Sequence, residues 1–153
     1  MKVKDIFKKI FVSTTPNATL NDAAKLIFGK HHKGLPVVEG KGKKLVGFIS
    51  EQDIISEMFP SVSDLMVDYV HERDFEAMEK KIKPVLQKKV KDVMSKRVTY
   101  IHLDDPILKA ESIMKLKEVG RLPVVDDKKH VIGIISKGDI FRALVSPKVR
   151  GFK

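Results

Sequence analysis

Two rhythms of apolar residues alternate along this chain. Leu20, Ala23, Leu26 and Ile27 recur at helical spacing, and so do Ile107, Ala110, Ile113 and Met114, which predicts a helix at each place with one buried face. Each helix is preceded by a short extended lead-in, Thr14-Thr15 or Ile101-His102. Each is followed by two β-branched runs: Leu35 to Val38 and Leu45 to Ile49, then Leu122 to Val125 and Val131 to Ile135. A glycine-lysine turn joins the first two runs, and a last helix starts at Ser50 or Ser136. Asp105-Pro106 is expected to supply an N-cap and a proline at the first helical position. The chain is thus an α/β protein whose unit is β-α-β-β-α. A sheet this small covers little by itself, so two units are expected to share a core.

The two units are copies. Val3-Lys4-Asp5-Ile6 returns as Val90-Lys91-Asp92-Val93, and Leu35-Pro36-Val37-Val38 as Leu122-Pro123-Val124-Val125, both displaced by 87 residues. Gly47-Phe48-Ile49-Ser50-Glu51-Gln52-Asp53-Ile54 returns as Gly133-Ile134-Ile135-Ser136-Lys137-Gly138-Asp139-Ile140, displaced by 86. The one-residue slip falls near Lys41-Gly42-Lys43-Lys44, in a turn, with register kept on both sides, as expected of a duplication. The boundaries follow: 1–58 for the first repeat, 59–88 for an insertion and 89–153 for the second repeat. In the insertion Phe75, Met78, Ile82, Val85 and Leu86 keep helical spacing, and Pro84 is expected to bend or end the helix. The segment reads as a connecting helix over the core, with a partner-docking arm as the alternative. Lys80-Lys81 and Lys88-Lys89 read as a solvated face.

Composition narrows the functional classes. A hydrophobic fraction of 42% is enough for a core, and the absence of cysteine excludes disulfides and thiolate chemistry. The charged start, Met1-Lys2-Val3-Lys4-Asp5, lacks the apolar core of a signal peptide, and no apolar run is long enough to span a bilayer. A cytoplasmic protein is expected. Asparagine and glutamine occur only at Asn17, Asn21, Gln52 and Gln87, a composition that leans towards a thermophilic source. The net charge of +10, from 30 Lys+Arg against 20 Asp+Glu, suits a polyanionic partner without naming one.

The recurring Gly-x-x-Ser-x-x-Asp holds the candidate chemistry. It lies where a β-run ends and a helix begins, where first-turn N–H groups and the helix dipole favour a phosphate. A serine hydroxyl there can donate to a phosphate or sugar oxygen, and the aspartate can accept from two vicinal hydroxyls, as a ribose offers. Gly47 and Gly133 would let backbone or ligand approach closely. The same spacing is that of a capping box, with Ser50 and Ser136 capping the helix and Asp53 and Asp139 reaching back to the serine N–H.

Taken together, an apolar helix, Leu-Pro-Val-Val, a short turn and Gly-h-h-Ser-x-x-Asp-Ile (h is apolar), all occurring twice, resemble the CBS domain, the family named after cystathionine β-synthase. The resemblance covers nearly all of the chain outside 56–89. It implies two repeats packed as a pseudo-symmetric pair with two clefts, a stand-alone regulatory protein, and an adenosyl ligand such as AMP, ADP, ATP or S-adenosylmethionine. It implies no required cofactor and no catalysis. In the first cleft Thr15 and Leu20 would lie near the adenine with His32 and Lys33 nearby, while Ile134, Ser136 and Asp139 come from the second copy. Arg121 matches a phosphate-contacting arginine of nucleotide-sensing members, whose planar fork suits phosphate. The second cleft would use His102, Ile107, Val119 and Gly120 with Phe48, Ser50 and Asp53. Gly34 stands there in place of Arg121's counterpart, so the Arg121 cleft is expected to be the tighter. A homodimer and an unknown regulated partner are also implied.

Other features carry less. His31-His32 are adjacent, with no partner at ligand spacing, so no metal site is expected. Asp104-Asp105 and Asp126-Asp127 read as cap and turn residues. Gly40-Lys41-Gly42-Lys43-Lys44 lacks the spacing of a P-loop. No motif demands an enzyme. A nucleic-acid-binding protein, or a protein-docking scaffold with empty clefts, is the competing class; 7% aromatic residues and dispersed lysines argue against the first.

Overall fold

A computed structural model describes residues 1–59 and 74–145. Two compact units emerge, and each is assembled from separate stretches of chain. The first comprises Val12–Val38 and Val46–Arg97; the second comprises Met1–Phe11, Glu39–Leu45 and the chain from Val98 on.

In the first unit the amphipathic stretch forms helix α1 (Leu20–Gly29). Thr19 caps it: its Oγ1 accepts from Asp22 N–H at 3.1 Å, as a β-region N-cap with an acid three residues on should. The face carrying Leu20, Ala23 and Ile27 is fully buried. Strand β1 (Gly34–Glu39) is buried throughout except for Glu39, whereas β2 (Lys44–Ser50) alternates buried and part-exposed positions, so one face of β2 meets the core. The lead-in joins by a parallel bridge from Thr14 to Val37. Helix α2 (Glu51–Met58) follows directly. Helix α3 (Asp74–Val85) carries Pro84 one residue before its end. Val85 and Leu86 pack against the core formed by Leu20, Ala23, Ile27, Leu35, Val37, Ile49, Ile54 and Val90. The chain leaving α3 also accepts from the start of α1, Leu20 N–H on Lys88 O and Asn21 N–H on Leu86 O, both at 2.9 Å. This helix falls within the expected insertion; the side chains of Phe75 and Met78, like residues 60–73, lie outside the described part.

The second unit repeats the plan. Strand β3 (Ile101–His102) runs parallel to β4 (Arg121–Val125), which pairs antiparallel with β5 (Val131–Ser136). Helices α5 (Ile107–Lys117) and α6 (Lys137–Val145) complete it. Its core holds Ile101, Ile107, Ala110, Met114, Leu122, Val124, Ile135 and Ile140, joined by Val3 from the N-terminus.

Val3 and its repeat partner Val90 have changed places. The short turn Val3–Asp5 belongs to the unit built from the second repeat, while helix α4 (Val90–Val93) belongs to the unit built from the first. Both valines are fully buried, worth roughly 1.5–3 kcal/mol each. Lys8 exchanges two backbone hydrogen bonds with Ile134, and Ser95 does the same with Phe48, all at 2.8–2.9 Å. Each segment thus adds a bridge to the edge of a Gly-h-h-Ser strand. The recurring glycines permit this. A Cβ at Gly133 would fall on the Lys8 carbonyl and the Phe7 ring, and one at Gly47 would sit 2.5 Å from Met94 Sδ. The close approach is therefore by backbone and side chains of the protein.

One capping expectation is corrected. Pro106 is the N-cap of α5 and helical geometry starts at Ile107, so proline stands outside the helix by one residue. Asp105 does not cap; its Oδ2 accepts from His102 N–H at 3.0 Å and its Oδ1 pairs with Lys109 at 2.8 Å. Holding the lead-in strand's N–H has taken priority over the helix end. The Lys109 hydrogen bond keeps the Asp105 carboxyl below the usual range, against a smaller opposing effect of burial. No described helix is long and apolar enough to cross a membrane.

Candidate functional site

Both Gly-x-x-Ser-x-x-Asp junctions fold as capping boxes. In the first unit Ser50 N–H donates to Asp53 Oδ2 at 2.8 Å, and Asp53 N–H donates to Ser50 Oγ at 3.1 Å. In the second, Ser136 N–H and Oγ both donate to Asp139 Oδ2, at 3.0 and 2.8 Å, and Asp139 N–H donates to Ser136 Oγ at 3.1 Å. The spacing alone therefore encodes a helix start, as elementary capping rules require.

The expectation of free first-turn N–H groups needs correcting. The first helical N–H is already bonded, Glu51 to Lys33 O at 2.8 Å and Lys137 to Gly120 O at 3.0 Å. The third is bonded to the serine. Among the described residues, Gln52 and Gly138 keep the N–H of this turn that no group accepts. A ligand anion would find one backbone donor at each junction, so side chains must supply most of any charge recognition.

Here the junctions diverge. Asp139 is buried, and its Oδ1 accepts from Arg142 Nη2 at 2.6 Å and pairs with Lys8 Nζ at 3.2 Å. Burial by itself would raise this carboxyl; the Ser136 bonds, Lys8 and Arg142 outweigh it and hold the group below the usual carboxylate range. Arg121 stands directly opposite Ser136 in the β4–β5 ladder, so both side chains emerge on one face. Asp53 is half-buried, and among the described residues no cation reaches it and its Oδ1 has no hydrogen-bond partner. The residues at the repeat positions of Lys8 and Arg142 are Ser95 and Ser56. At the repeat position of Arg121 is Gly34, where a Cβ would lie 2.5 Å from the Phe48 ring and 3.0 Å from Ile49 O. An aromatic ring occupies the space that a longer side chain would need.

The other expected residues fall as follows. In the first unit Leu20 is fully buried core, Thr15 and Lys33 are exposed, and His32 is half-buried at the exit of α1, its N–H on Ile27 O at 2.9 Å. In the second unit Ile107 is core at 2% exposure, and Val119 packs against that core. Gly120 is exposed, and His102 sets its ring edge-on to Tyr100 at 5.6 Å. Ile134 and Phe48 are half-buried. Lys33 and Gly120 are tied to the junctions by their carbonyls, as above. Leu20 and Ile107 serve the cores, which leaves only their backbones for a ligand. Lys8, Lys137 and Arg142 were not singled out by sequence. Arg142 lies one helical turn after Asp139, a spacing that could have flagged it; Lys8 reaches Asp139 only through the exchanged N-terminal segment.

The model of the CBS domain matches residues 3–60 and 90–146. The chain belongs to the CBS domain family. Each matched span opens on one of the exchanged segments, Val3 or Val90. Among relatives, the uncharacterised protein MJ1426 of Methanocaldococcus jannaschii is 35% identical over 156 residues, covering 95% of this chain and 92% of its own length. MJ1232 of the same organism is also 35% identical, over 94% of this chain, but the chain spans only 40% of that protein. The solved CBS domain pair of protein MJ0100, in complex with 5′-methylthioadenosine and S-adenosyl-L-methionine, superposes with a TM-score of 0.67 at 26% identity, covering 97% of this chain and 98% of that one.

Proposed function

We propose that this CBS pair is a regulatory module that binds an adenosine-containing ligand, AMP, ADP, ATP or S-adenosylmethionine, and performs no catalysis itself. The observation that carries the reading is the placement of Arg121 opposite Ser136, the residue that hydrogen-bonds Asp139 with its two cations. This gives one face a planar phosphate-binding fork, a hydroxyl and a carboxylate. The MJ0100 pair, held with two adenosyl compounds, supports the ligand class. Lys8 and Arg142 are well exposed, at 60% and 46%, while the Asp139 side chain is at 5%. Both cations exchange the carboxylate for phosphate oxygens when ligand arrives, and Asp139 Oδ1 then accepts from the ribose. The molecule works in the cytoplasm as a homodimer.

Calorimetry with AMP, ADP, ATP and S-adenosylmethionine tests the reading, and absence of binding below millimolar concentration with all four sinks it. Asp139→Ala should weaken nucleotide binding by about 1.5–3 kcal/mol, as for a hydrogen bond to a charged group. Unchanged affinity would move the ribose elsewhere.

A further inference from the structure

The two junctions differ in charge as well as in shape. We infer that they select different adenosyl compounds: the Arg121 junction takes a 5′-phosphorylated adenosine, and the Phe48 junction takes one whose 5′ group is uncharged or cationic. The inference rests on the adenosyl-ligand reading above and adds ligand class to each site.

In the second unit Lys8 and Arg142 pair with Asp139, Lys137 opens the same helix, and Arg121 stands opposite Ser136 on the neighbouring strand. At the repeat positions the first unit has Ser95, Gly34, Glu51 and Ser56. Lys33 takes the place of Gly120, and Lys96 that of Lys9, so Lys33 is the one cation gained while three are lost and the fourth becomes an acid. Among the described residues no ion pair joins Arg97, further along the same segment, to Asp53. A phosphate brought to this junction would meet Asp53 and Glu51 with little to offset them, and like charges at close range repel most where water is scarce. A thioether or sulfonium substituent carries no such penalty, and a sulfonium gains from the acids. The Phe48 ring adds to this. It fills the space at Gly34 and is half-buried, which offers a polarisable apolar surface to sulfur where the second unit offers a guanidinium.

The test uses the full chain with two probes of equal adenosine content, AMP and 5′-methylthioadenosine. Calorimetry is run with each probe alone and then with the thioether titrated into AMP-saturated protein. One tight AMP equivalent is expected, with a thioether equivalent that still binds when AMP is saturating, its affinity changed less than threefold. Arg121→Ala should weaken AMP at least tenfold and leave the thioether unmoved. Gly34→Arg combined with Phe48→Ile and Glu51→Lys, with the fold verified by circular dichroism, should admit a second AMP equivalent and weaken the thioether. If AMP fills two sites of similar affinity in the unaltered chain, or competes the thioether off completely, the selectivity is overturned while the adenosyl reading survives. If neither probe binds, both fall together.

Discussion

Asp53 and Asp139 sit at the same place in the same motif, and both close the same capping box, yet they live in different electrostatic surroundings. Asp139 is buried and held by Lys8 and Arg142 in addition to Ser136; Asp53 is half-buried and, among the described residues, held by Ser50 alone. The helix start needs only the serine and one carboxylate oxygen, so the duplicated motif satisfies that need twice. The other oxygen is surplus to folding, and each half has used it differently. A duplicated chain can thus keep its fold while its two sites drift apart, because capping and ligand chemistry draw on separate atoms of one side chain.

The comparison can be broken first at the cores, where the halves should behave alike. Ile49→Ala and Ile135→Ala remove fully buried side chains at repeat-equivalent positions. Each should cost about 2–5 kcal/mol, read as urea-unfolding midpoints. A difference above about 2 kcal/mol between them would mean that the halves are not energetically equivalent even in their interiors.

The glycines sharpen the contrast at the next level. Gly133→Ala meets the Lys8 backbone carbonyl and the Phe7 ring, which cannot yield without moving the exchanged segment. Gly47→Ala meets Met94 first, a flexible thioether, with Ser95 O at 3.0 Å. We expect about 2–3 kcal/mol for Gly133→Ala and about 1 kcal/mol for Gly47→Ala, from thermal melts of the two variants. The reverse order would show that Met94 is as rigid as backbone.

The smallest effect concerns the acids themselves. Asp139→Asn should destabilise by about 1–2 kcal/mol and Asp53→Asn by about half that, because only the first strands two cations. The pH dependence follows from the lowered carboxyl of Asp139. A folded-state value below the unfolded one gives stability that is present above the usual carboxylate range and lost as the pH falls through and below it. Urea titrations at neutral pH and at pH about 3 should show wild type losing more stability than Asp139→Asn over that interval. Equal losses would assign the acid sensitivity elsewhere, with Asp104 and Asp126 the next groups to test, since hydrogen bonds from Lys4 and from His130 N–H lower them.

Much of this was legible in the residues. Helical spacing located α1 and α5, β-branched runs located four strands within a residue or two, and the repeat of Leu-Pro-Val-Val and Ser-x-x-Asp declared the family. Proline at position 106 was placed one residue too far into its helix, because sequence could not show that Asp105 was needed by the His102 N–H. Local patterns report local hydrogen bonds well, and they fail where a side chain has two claims on it.

The chain by itself settled which segments are helix and strand, that they form two copies, and that serine and aspartate start a helix in each, since all of these depend on neighbours within a few positions. Tertiary structure alone decided that Val3 joins the second repeat and Val90 the first, that Lys8 reaches Asp139, and that Phe48 closes the space at Gly34. Those outcomes depend on which distant surfaces bury the most apolar area and bring charges within a few ångströms, and no short stretch of sequence encodes such a distance.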